Sequence, residues 1–192
     1  MDKINLAIPP QESIKELQKG IGVAGHYNDR ALAKSISKAT KKPEENIPHP
    51  CYTVGLEDLG RGITVDKLNL TGWRYLLDID DTVASVEVHL KDGKHNLGEI
   101  NFGHFPDRTK KALLDRKVLK QLERDNYELR SIKIPSLYTF ALWFHGKTDW
   151  FFPLEPTHHE LNVNQFYTSD EFFKTLKKMA NQQIKFNKNL ED

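Results

Sequence analysis

Residues 73–94, WRYLLDIDDTVASVEVHLKDGK, decide the fold. Trp73, Tyr75, Leu77 and Ile79 alternate with Arg74, Leu76, Asp78 and Asp80, and Val86, Val88 and Leu90 alternate with Ser85, Glu87 and His89. Successive side chains of an extended backbone point to opposite faces, so each run reads as a half-buried strand with one apolar face. Asp92-Gly93 accepts the positive φ angles of a tight type I′ turn and sends the chain back antiparallel. The returning strand, residues 95–103, sets Leu97 on one face but Ile100 and Phe102 on the other, and a bulge near Gly98 reconciles them.

Upstream of this meander lie two helical segments. Pro10 suits a first turn, Ile14, Leu17 and Ile21 recur at helical spacing, and Gly20 suits a left-handed stop. A second helix follows the turn Gly25-His26-Tyr27, with Asn28 or Asp29 as its cap, Leu32, Ile36 and Ala39 as its apolar stripe and Pro43 as its barrier. Residues 41–50, KKPEENIPHP, carry too much proline and charge for regular structure and read as a surface linker.

Downstream, Asp107 opens a helix in which Leu114, Val118 and Leu122 lie one above another, widened by Ala112 and Leu119. Residues 127–134 and 137–145 read as strands, and LYTFALWF at 137–144 is apolar on both faces, as a central strand covered on both sides must be. Trp150-Phe151-Phe152 pairs back, and Pro153 ends the pairing or marks an edge. In the last helix Thr168 and Glu171 have capping-box spacing, Tyr167 and Phe172 occupy staple positions, and Phe172, Phe173, Leu176, Ala180 and Ile184 form the buried stripe. Runs of strands with helices at either end specify an α+β class. The expected fold is a mainly antiparallel twisted sheet of about five to seven strands, packed by two N-terminal helices, one central helix and one C-terminal helix. A single domain over 1–192 is expected, with a helical N-terminal segment at 1–45 and the sheet-containing core at 46–192.

A chain of 192 residues fits one core. Its 38% hydrophobic and 29% charged residues are a globular balance, and ten Phe, six Tyr and three Trp supply bulky core material. Lys and Arg number 28 against 27 acids, and a net charge of +1 exerts no global pull on nucleic acid or anionic lipid. With Cys51 alone there is no internal disulfide. No apolar run approaches the roughly 20 residues of a membrane span, and the N-terminal residues lack the pattern of a signal peptide, so the cytoplasm is the expected compartment.

The segment LLDIDDTV at 76–83 resembles motif one of the haloacid dehalogenase phosphatases, in which an apolar strand ends in Asp-x-Asp-x-Thr. The resemblance implies Asp78 as nucleophile, Asp80 as acid/base and a magnesium ion beside Asp78. It covers eight residues, and no later strand ends in the acidic pair that would complete a metal site. Residues 83–90 run straight into the Asp-Gly hairpin, so Asp80-Asp81-Thr82 reads as a turn between antiparallel strands, where short acids are favoured. Gly146-Lys147-Thr148 lacks the first glycine of a phosphate loop, since Ala141 stands there. Cys51, close to His49, opens a strand and reads as a small buried hydrophobe.

Among the eight histidines there is no His-x-x-x-His, and adjacent His158 and His159 on an extended segment would point apart, so neither a metal nor another cofactor is expected. Between Arg108 and Lys133 nine Lys or Arg face four acids, and the last helix adds Lys174, Lys177, Lys178, Lys185 and Lys188. Side by side these helices would make a basic patch, but the balanced charge of the whole chain does not favour nucleic acid as a partner.

The remaining expectation is a non-enzymatic binding module for a small molecule or protein segment. Its pocket would be mouthed by His104 and His145 and rimmed by Trp150 and Phe152. The alternative is a small hydrolase, either a magnesium-dependent phosphatase using Asp78 and Asp80 or a histidine-centred one, and a further alternative is nucleic-acid binding through the basic helices. In element order alone the chain resembles the cystatin-like and nuclear-transport-factor-like folds, which wrap a sheet around a helix.

Overall fold

A computed structural model describes residues 4–26, 29–80 and 82–191. In chain order the elements are β1 (Ile4–Asn5), α1 (Gln11–His26), α2 (Arg30–Lys41), β2 (His49–Thr53), α3 (Leu56–Arg61), β3 (Leu70–Ile79), β4 (Thr82–Lys91), β5 (Lys94–Asn101), α4 (His104–Leu114), α5 (Arg116–Gln121), β6 (Tyr127–Ile134), β7 (Thr139–His145), β8 (Trp150–Leu154), β9 (Tyr167–Thr168) and α6 (Ser169–Glu191). The fold is α+β, and the described residues form one open sheet of nine strands in the order β5-β4-β3-β2-β6-β7-β8-β9, with β1 beside β6. All pairings are antiparallel except β1 with β6 and β2 with β6. No helix among the described residues is long and apolar enough to cross a membrane.

The sheet has more strands than the five to seven expected, because β1 and β9 have two residues each, too few for alternation to show. The proline-rich segment 41–50 is not a surface linker. Pro43–Asn46 form a 3-10 turn and β2 begins at His49, with Pro48, His49 and Pro50 all buried. Gly20 does not stop α1. A Cβ there would lie 3.0 Å from Ile36 Cδ1, so the glycine lets α1 and α2 pack closely. The turn residues Tyr27 and Asn28 lie outside the described residues, while Asp29 caps α2 by accepting from Leu32 N–H at 2.9 Å. The central helix is two helices, because Asp115 accepts from Lys117 N–H at 2.6 Å and restarts the chain as α5. That break turns Leu114 outward, 57% exposed, and leaves Leu113 in the core.

The decisive meander forms as the alternation requires. Ile79 pairs with Thr82 and Lys91 with Lys94, and Asp92 and Gly93 take φ angles of 50° and 72°. Asp81, part of the turn expected over 80–82, lies outside the described residues. Val86 opposes Ile100 while Val88 opposes Leu97, so β5 carries one extra residue at Gly98-Glu99, the bulge that the sequence pattern demands. Glu16 of α1 accepts the Leu97 N–H at 3.2 Å and so occupies one donor of β5, at the edge of the sheet.

Residues paired across strands share a face, which assigns the layers. On one face α1 and α2 cover Trp73, Tyr75, Leu77, Val86 and Val88, and beside them α3 and α6 cover Ile132, Ile134, Trp143 and Phe151. On the opposite face α4 and α5 cover Leu129, Leu142, Phe144 and Phe152. The basic helices at 104–121 and 169–191 therefore lie on opposite faces of the sheet and do not join into one patch. In α6 the capping box is present: Thr168 N–H donates to Glu171 at 2.9 Å, and Glu171 N–H to Thr168 Oγ1 at 3.4 Å.

Candidate functional site

On the α4 side, the part of the sheet formed by β2 to β5 carries polar side chains. Counting back from the pairing of Ile79 with Thr82 sets Arg74 of β3 opposite Glu87 of β4. Both are buried, at 2% and 4% exposed. Arg74 Nε lies 3.8 Å from Glu87 Oε1, and its Nη2 donates to Ser85 Oγ at 3.1 Å. Arg74 Nε has no hydrogen-bond partner among the described residues. The guanidinium sits 4.4 Å above the Phe140 ring, a cation–π contact that offsets part of its lost hydration. From β6, Lys133 Nζ donates to Glu87 Oε2 at 2.7 Å and approaches Glu99 Oε2 at 3.8 Å. Burial pulls the Arg74 pKa down and Glu87 opposes that shift. A hydrogen bond from Asn101, followed by Lys133, holds Glu99 below the usual carboxylate range.

These groups floor a cleft of about 400 Å³. Phe105 and Pro106 of α4, Pro135, Phe140 and Pro156 give it apolar walls, with Gly103 and Tyr138 also in its lining. Phe105 and Phe140 meet at 5.1 Å between ring centres. Tyr138 is 84% exposed and takes φ 47°, a left-handed conformation uncommon for a non-glycine residue and often kept at functional positions. A second cavity, about 350 Å³, adjoins the first across Glu87, Glu99, Lys133 and Pro135, and reaches to Thr71, His89 and Lys91. The arrangement offers donors, acceptors and ring faces within one concave surface. It places no nucleophile at a base.

The groups best suited to nucleophilic chemistry are withdrawn. Cys51 contacts Ser131 Oγ at 2.9 Å and is buried, which pushes its thiol up to about 12. His49, in β2 beside Arg74, is wholly buried; desolvation, then the Arg74 charge, depress it to about 3, against a weaker opposing contribution from its contact with the Ile47 carbonyl. Asp78 is 71% exposed and paired with Lys110 at 2.5 Å. It stands on an antiparallel hairpin with Asp80 in the turn at φ 48°, so the parallel strand with helical crossover that the dehalogenase resemblance implies is not formed here.

The four residues expected to share a pocket are dispersed. His104 is exposed in the first turn of α4. His145, on the α6 side of the sheet, bonds through Nδ1 to Asp149 at 2.7 Å, and Trp143 Nε1 donates to the same carboxylate at 2.7 Å. Trp150 and Phe152 lie on the α4 side around Phe166, at 6.1 and 5.0 Å between ring centres. Phe152 also borders a separate cleft with Arg108 and Glu155. His158 and His159 do not point apart, since they sit at a turn and stack at 4.2 Å. Among the described residues no group of three His, Cys, Asp or Glu is placed to hold a metal ion. Comparison with protein-family models, curated proteins and solved structures finds no match to this chain.

Proposed function

We propose that this chain is a binding module, without chemistry of its own, for a small molecule with a polar head and an apolar body. The ligand lies in the cleft between α4 and the β6–β7 turn. One observation carries this reading: a buried arginine stacked on Phe140, with its Nε unpartnered, at the polar floor of a cleft with apolar walls. A buried donor without an acceptor costs about 1–3 kcal/mol, and a bound acceptor nearby would offset that cost through the guanidinium. Apolar walls with a few convergent polar groups are the usual make-up of small-molecule sites.

Chemical-shift mapping with a fragment set of aromatic and aliphatic acids and amines tests the reading. Shifts are expected at Phe105, Tyr138, Thr139 and Phe140. They should be lost in Gly103→Trp, a position at which a Cβ meets nothing within 4 Å and a φ of −85° suits any residue. Fragments that shift other surfaces only, or bind Gly103→Trp as well as the native chain, would refute it.

A histidine-centred hydrolase is the second reading, favoured by the His145–Asp149 hydrogen bond, which orients an imidazole as a general base requires. Ester hydrolysis that survives His145→Asn unchanged would end it.

A further inference from the structure

We infer that the head group taken by this cleft is zwitterionic, and that the ligand is a free α-amino acid with an apolar or aromatic side chain. The inference rests on the binding reading above. The floor holds two cations, Arg74 and Lys133, and two carboxylates, Glu87 and Glu99. Within this set only the Lys133–Glu87 contact, at 2.7 Å, has hydrogen-bond length. Arg74 to Glu87 and Lys133 to Glu99 stand at 3.8 Å, beyond direct bonding. The two loose contacts are the ones an incoming group can complete. A ligand carboxylate would accept from Arg74 and Lys133, and a ligand ammonium would donate to Glu99, which Lys133 reaches only at 3.8 Å.

Charge balance selects the zwitterion over either ion alone. The four side chains sum to zero, and Arg74 and Glu87 are almost fully removed from water. A lone carboxylate or a lone ammonium would leave one uncompensated charge in a poorly solvated site, whereas a head bearing both signs leaves none. The α-substituent of such a head would enter the wall formed by Phe105, Phe140 and Pro135, with Tyr138 at the rim. A volume of about 400 Å³ accommodates a ligand of this size.

Isothermal titration of the native chain with L-phenylalanine, 3-phenylpropionate and phenethylamine separates the charges while keeping the ring. L-phenylalanine should bind, and each singly charged analogue should bind about tenfold more weakly or worse. Arg74 variants risk misfolding, so the partly exposed Lys133 supplies the mutational arm. Lys133→Gln, which leaves the floor one negative charge in excess, should weaken L-phenylalanine and 3-phenylpropionate and tighten phenethylamine. An analogue that binds as tightly as L-phenylalanine overturns the zwitterion and leaves the cleft reading standing. So does failure of all three ligands while other fragments still map to Tyr138 and Phe140. Failure of all three with no fragment mapping to the cleft removes both.

Discussion

Lowering the pH from 7 to 5 should cost the fold about 2 kcal/mol through His49 alone. In the unfolded chain this imidazole titrates at its ordinary 6.5, whereas in the fold burial and the Arg74 charge hold it to about 3. Between those values the unfolded chain binds a proton that the folded chain refuses. The contribution is therefore complete above pH 6.5, declines by about 1.4 kcal/mol per unit as the pH falls well below it, and levels off near 3. Glu16, Glu45, Glu99, Glu160 and Glu171 are also held below their ordinary 4.5, but their losses begin only as the pH approaches that value. The window from pH 7 to 5 isolates the histidines. Burial also lowers His158, whose smaller effect is common to native and variant chains. Urea unfolding followed by tryptophan fluorescence at pH 7, 6 and 5 reads the effect, because the midpoint moves with stability while the slope stays fixed. His49→Asn sets its amide N–H at the place of Nδ1, keeps a donor for the Ile47 carbonyl and does not titrate. The native chain should lose about 2 kcal/mol more than the variant across the window. Equal losses would refute a buried, neutral His49.

Glu87→Gln leaves Arg74 buried without its counter-charge and should cost about 3–5 kcal/mol, most of it recovered on adding Arg74→Met; urea midpoints that fail to recover would show that the pair is not the cause. Cys51, pushed up to about 12, should react with iodoacetamide at pH 8 only at the rate of unfolding, and reaction at the rate of a free thiol would contradict its burial. Because the unfolded thiol deprotonates near its ordinary 9 and the folded one does not, stability should also decline as the pH rises from 9 towards 12. Thr168→Ala removes half of the capping box on α6 and should lower stability by about 1 kcal/mol in the same urea assay, with no loss expected if the N-terminal turn of α6 is frayed.

The elements legible in the sequence are those whose signal is local. Alternation locates β3 and β4, the Asp92-Gly93 pair specifies its turn, Leu97 against Ile100 exposes the bulge, and Thr168 with Glu171 marks the start of α6. What escaped depends on partners distant in sequence. His49 and Pro50 join the strand that Cys51 opens because β3 and β6 flank them, and proline content hid those two residues. Tyr138 reads as part of a buried strand, yet Pro135 opens a 3-10 turn and the strand starts one residue after the tyrosine. The site was half visible. Arg74 and Glu87 were legible as polar members of two alternating strands, but their pairing needs the observed register and burial of that face is set by α4, whereas alternation alone assigns both residues to water. His104 and His145 attracted notice as residue types, and the sheet then separated them.

The pairing of β6 with both β1 and β2 governs when the sheet can be assembled. Ile4 meets Tyr127 and Cys51 meets Ser131, so the middle of the sheet is closed by partners far apart along the chain. On a ribosome, α1, α2 and the β3–β5 meander emerge well before β6, and the sheet-facing side of β2 must wait beside them. Completion is then limited by synthesis and by slow long-range closure, with β2 a transient open edge available to chaperones or to other nascent chains.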